Sequence, residues 1–92
     1  MLDKFDVTLE SWIEEIVTNG DDDALFASGY LQGHVAVVLA ELESESNHDI
    51  ASMDEKMQHC LSLADEELES QDFQLVEQAW QQLRQRLVAV AA

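Results

Sequence analysis

"DDDALFASGYLQGHVAVVLAELESE", residues 21–45, is the stretch whose reading decides the fold. The chain carries 20 acidic side chains against 4 basic ones, yet from Ala24 to Ala40 there is no charge, and acids stand at both ends. A helix that is apolar nearly all round is one covered nearly all round, so the stretch reads as the central helix of a bundle. Turned through about 100° per residue, Leu31, Val35, Val38 and Leu42 share a broad face with Ala24 and Ala27. Gly29, Gly33, Ala36 and Ala40 lie opposite. Small residues let a second backbone come close, which offsets the helix propensity lost at two glycines, about 1 kcal/mol each. Both faces are therefore expected to pack. Crossing a membrane is the competing reading, but Ser28, Gln32, His34 and two glycines leave the segment short of the ~20 strongly apolar residues required.

Working outward, 92 residues suffice for one small domain with a single core, expected to span residues 1–92. Hydrophobic residues make up 47% of the chain, ample for such a core despite the charge. There is no proline and there are three glycines, too few turn residues for a β-rich domain. One cysteine, Cys60, cannot form an internal disulfide or a cysteine cage for a metal. The start "MLDKFD" leads into an amphipathic pattern rather than an apolar run, so the expected location is cytoplasmic. A formal charge of −16 argues against nucleic acid, because phosphate binding needs clustered cations. It argues against anionic membrane surfaces for the same reason.

The period predicts an all-α, antiparallel up-down-up-down four-helix bundle with helices at about 4–18, 23–43, 49–65 and 71–90. Phe5, Leu9, Trp12, Ile13 and Ile16 form the apolar face of the first helix, with Asp3 as N-cap and Gly20 as stop. Asp21, Asp22 and Asp23 then suit the start of the second helix. Ser46 and Asn47 are the expected caps of the third, which carries Ile50, Met53, Met57, Cys60, Leu61 and Ala64 on one face. Crowded acids at Asp65–Glu69 should fray its end, since they oppose the negative helix terminus. Ser70 is the expected cap of the fourth helix. Its seam, Phe73, Val76, Trp80, Leu83, Leu87 and Val90, follows a 3-4-3-4-3 spacing. Arg84 and Arg86 near its end suit the helix dipole.

No catalytic, cofactor or metal site is expected. Di-iron carboxylate bundles need Glu-x-x-His on two helices, and here only Glu45–His48 fits, in a turn. Residues 21–31 lack the oxygen ligands and central glycine of a calcium loop. His59 and Cys60 are adjacent, and neighbours at i, i+1 on a helix do not face each other. Cys60 on an apolar face reads as a small buried hydrophobe. No phosphate-binding glycine loop or nucleophile elbow is present.

Tyr30, His34, Val37 and Glu41 run at i, i+4, i+7 and i+11 beside the small residues. The plain reading is a boundary stripe whose hydroxyl and imidazole reach water or a backbone carbonyl. The functional reading makes Gly29, Tyr30, Gly33, His34 and Val37 a contact surface for a protein partner or a second copy of the chain.

"DDALFASGYLQGH" (residues 22–34) followed by "AELE" (residues 40–43) resembles the signature of the YfcL family, small acidic proteins of gamma-proteobacteria. The likeness extends to chain length, the acid-rich turn before the fourth helix and a tryptophan within that helix. The chain departs from it around Glu69–Gln71, where relatives have a proline. The resemblance implies a bacterial cytosolic helical domain and transfers no activity, substrate or catalytic residue. Sequence thus points to a non-enzymatic protein-interaction module. The alternatives are an acidic decoy for a basic protein surface and a small enzyme with an unrecognised site.

Overall fold

The computed structural model describes residues 2–45 and 49–91. Four helices follow one another: α1 (Leu2–Asn19), α2 (Asp22–Ser44), α3 (Ile50–Glu67) and α4 (Ser70–Ala91). Their bounds fall within one or two residues of the expected ones. They form the all-α, up-down-up-down bundle, in which α2 and α4 run the same way. Here the bundle is flattened, 35 × 30 × 18 Å. α2 and α4 approach across the diagonal, while α1 and α3 lie on either side of them and do not meet.

The apolar stripes pack as their spacing requires. Phe5, Leu9 and Trp12 of α1 are buried, with Ile13 and Ile16 half-buried against them. α3 contributes Met53, Met57, Leu61 and Ala64, and α4 contributes Val76, Ala79, Trp80, Leu83 and Leu87. Phe73 and Val90 close the ends of the α4 seam, and Cys60 is half-buried at the edge of the core.

The expectation for α2 needs correction. Its buried residues, Ala27, Ser28, Leu31, Val35, Val38, Leu39 and Leu42, lie on one side only. Gly29, Gly33, Ala36 and Ala40 are exposed. A Cβ built at Gly29 or Gly33 would meet nothing within 4 Å. Three flanking helices in a flat bundle cover about half of a central one, so the small-residue face packs against no part of the described chain. Ser28 is buried because its hydroxyl donates to the Leu25 carbonyl, 3.2 Å away. α2 is long and apolar enough, by length and composition, to cross a membrane, but 39% of the qualifying window is buried inside this bundle.

The helix ends also differ in detail. Asp21 caps α2, its carboxylate accepting from the Ala24 amide at 2.9 Å. Asp49 caps α3 by accepting from the Ser52 amide at 2.9 Å, a bond that holds its carboxyl below the usual range. The expected caps Ser46 and Asn47 lie outside the described residues. Asp3 sits in the first turn of α1 rather than before it, and Ser70 is the first residue of α4 rather than its cap. α3 does not fray at Asp65 but continues to Glu67, where the Leu68 amide donates to the Ala64 carbonyl at 2.8 Å. Leu68 packs on the core and draws the last turn closed against the repulsion of its acids. Arg84 and Arg86 stand too far from the end of α4 to serve its dipole. Each reaches across to another helix, as described below.

Trp80 is 4% exposed at the centre of the α4 seam. Its truncation to alanine should cost about 3–5 kcal/mol, as loss of a large core side chain does. A melting temperature unchanged in Trp80→Ala would contradict this packing. Gly20 ends α1 by donating to the Ile16 carbonyl at 2.7 Å, and a Cβ there would lie 2.6 Å from that same oxygen. Space, not a left-handed backbone, demands glycine. Gly20→Ala should destabilise by about 1–3 kcal/mol, as overpacking does. Thermal unfolding would show it.

Candidate functional site

The five residues singled out by sequence divide between two environments. Gly29, Gly33 and Val37 are open to solvent, Val37 at 56% exposure. Tyr30 and His34 are half-buried on the α3 side of that strip. One turn before Tyr30, Phe26 is 39% exposed and extends the strip toward the start of α2. The periodicity signalled Phe26 too, since it stands at i−4 from Tyr30, but its place in an apolar run disguised its exposure.

Tyr30 and His34 stack along the helix, with ring centroids 5.0 Å apart and planes tilted by 47°. Phe26 continues the row, 6.3 Å from Tyr30. The Tyr30 hydroxyl finds a side-chain acceptor rather than a backbone carbonyl. It donates to Glu67 Oε2 at 2.9 Å and so ties the third turn of α2 to the last turn of α3. Partial burial is the main cause that pushes the phenol above its ordinary pKa, and the Glu67 carboxylate adds to it.

Past Val37 the stripe opens into a groove between α2 and α3, about 770 Å³ in volume. Val38 and Cys60 lie deepest in it, and Val37 forms one wall. Lys56 bridges the two helices, its ammonium 3.1 Å from Glu41 Oε2 and 3.2 Å from Glu45 Oε1. These carboxylates raise the lysine pKa, Glu41 most. Burial is the first cause that raises the Cys60 thiol, and the nearby Glu41 charge is the second. A thiol held protonated in this way is a poor nucleophile at neutral pH. Sequence missed the groove because it belongs to neither helix alone.

Lys56 is one of three cations spent between helices. Arg84 of α4 grips Asp54 of α3 through two bonds, 2.7 Å and 2.8 Å. Arg86 of α4 pairs in the same two-pronged fashion with Glu15 of α1, which lowers the Glu15 pKa. The surface left over is strongly acidic. Among the described residues no three His, Cys, Asp or Glu side chains gather as a metal site would require.

Tyr30 is the single tyrosine of the chain, so tyrosinate absorbance reports on it alone. Its raised pKa means that the fold favours the neutral phenol. That contribution to stability is present below the ordinary tyrosine value, about 10, and is lost as pH rises through the folded value. The absorbance midpoint should lie above the ordinary value. Glu67→Gln should bring it part of the way down, leaving the share due to burial. An ordinary midpoint in both proteins would contradict the bond.

The comparisons with known proteins agree on kinship. The model of the YfcL protein family matches residues 3–85. The chain is also 34% identical over 88 residues to a protein of Escherichia coli (strain K12) described as "Uncharacterized protein YfcL", covering 94% of this chain and 96% of that one. No solved structure matches. A match of that extent, over nearly the whole chain, places it in a family: the chain belongs to the YfcL family.

Proposed function

We propose that the protein is a cytoplasmic, non-enzymatic interaction module that receives a helix of another protein on the outer face of α2. One observation carries this reading. The uncharged side of α2 stands open, and at Gly29 and Gly33 no other part of the described chain comes within 4 Å of where a Cβ would go. Two exposed glycines inside a helix sacrifice about 1 kcal/mol each relative to alanine. That sacrifice has no return within the described chain, whereas a close-packed partner helix would recover it.

The face is about 25 Å long, seventeen residues at ~1.5 Å rise. Phe26, Val37 and the ring of Tyr30 supply the larger contacts beside the small residues. Acids border it at both ends, Asp21–Asp23 before it and Glu41, Glu43 and Glu45 after it. A second copy laid along this face, in either direction, would bring acid against acid. A partner helix with an apolar face and cations near its ends meets no such repulsion, and opposite charges would steer it into register. A protein partner therefore fits better than self-association.

Gly33→Leu separates the possibilities. The isolated variant should fold as well as the parent, or gain up to about 1 kcal/mol from helix propensity, because its site is open. In affinity capture from the native cells, run beside the parent, it should lose a helical partner that the parent retains. Val37→Glu should lose the same partner. If both variants keep every partner of the parent, the outer face of α2 is not the contact surface. A partner kept by both variants but released by salt would point to the acid clusters instead.

A further inference from the structure

The groove between α2 and α3 adjoins the open face of α2 through Val37, which belongs to both. Its volume, about 770 Å³, is that of a site for a long side chain or small ligand. Its depth is apolar: Val38 is 1% exposed and the half-buried Cys60 lies beside it. Its rim carries carboxylates, Glu41 from α2, Glu45 from the residue that follows it and Glu55 from α3. Lys56 satisfies Glu41 and Glu45 but leaves the rim net negative, and Glu55 has no cation among the described residues. An apolar floor under a carboxylate rim matches a side chain with an aliphatic stem and a cationic head.

We propose that this groove seats an arginine side chain of the partner, its stem on Val37 and Cys60 above the buried Val38 and its guanidinium at Glu55. Arginine suits the place better than lysine, because its planar fork can engage a carboxylate through two bonds and is more weakly hydrated. The ammonium of Lys56 already holds the point-charge position on the α2 side. The identity of the occupant as part of a partner rests on the reading of α2 above. The groove's preference for a guanidinium does not, and can be measured without any partner.

The probe is N-acetyl-arginine amide, titrated into isotope-labelled full-length protein at neutral pH and low salt while backbone amide resonances are followed. N-acetyl-norleucine amide, with the stem but no charge, and N-acetyl-lysine amide are the controls. The arginine compound should saturate, with millimolar affinity, shifts centred on Val38, Glu55, Lys56 and Cys60. Norleucine should shift none of them, and lysine should bind more weakly. Glu55→Gln, an exposed change that leaves the core untouched, should weaken arginine by up to about fivefold, the upper end for an exposed charge pair. Shifts spread equally over Asp21–Asp23 and Asp65–Glu67 would show nonspecific attraction and overturn the proposal. So would equal binding of norleucine, or no saturable shift. Saturable binding here combined with partner capture indifferent to Gly33→Leu would sink the α2 reading and leave the groove standing.

Discussion

The packing of α2 against α4 is the constraint on which the rest depends. These two parallel helices approach across the short diagonal of the bundle, and α1 and α3 fill the two clefts they leave. Leu31, Val35, Val38 and Leu42 from α2 and Val76, Leu83 and Leu87 from α4 are each at most 1% exposed. Once these residues lie inside, the helical period sends Gly29, Gly33 and Val37 to the opposite side. No turn of side-chain rotamers can hide them. The interior that stabilises the domain is thus also what presents the uncharged face.

Electrostatics follows the same geometry. A chain with 16 more negative than positive charges resists compaction, and its few cations are placed where they oppose that resistance. Lys56 joins α3 to α2, Arg84 joins α4 to α3, and Arg86 joins α4 to α1. Each pair is partly exposed and contributes little alone. Their arrangement across three helix seams leaves Lys4 as the one cation outside these pairs among the described residues, so the remaining charged surface is almost all acidic. The open face of α2 is a break in that acid, bounded at both ends by more of it.

The sequence made the helices legible because the apolar spacing in α1, α3 and α4 was clean and each stripe had one face to bury. Fold class, helix bounds and the buried tryptophan followed. α2 misled for a physical reason. An uncharged face on a helix reads as packed whether its neighbour comes from the same chain or from elsewhere, so Gly29, Gly33, Ala36 and Ala40 looked covered. The candidate residues were found as a stripe, but their division into an open strip and a tethered Tyr30–His34 pair depended on where α3 runs. Glu67 lies 37 residues from Tyr30, and no local spacing announces that bond. The Lys56 bridge and the groove beneath it were hidden likewise, since both arise only where two helices meet.

The two-faced character of α2 is the central claim, and thiol reactivity at two positions measures it directly. In a Cys60→Ser background, Gly33→Cys and Val35→Cys are compared in the folded, isolated protein at several concentrations. Gly33→Cys should react with a neutral thiol reagent at nearly the rate of an unstructured peptide, independent of protein concentration. Val35→Cys should react only through unfolding, far more slowly. A Gly33→Cys thiol protected in dilute protein would mean that the chain covers its own outer face, and the account of α2 would be contradicted.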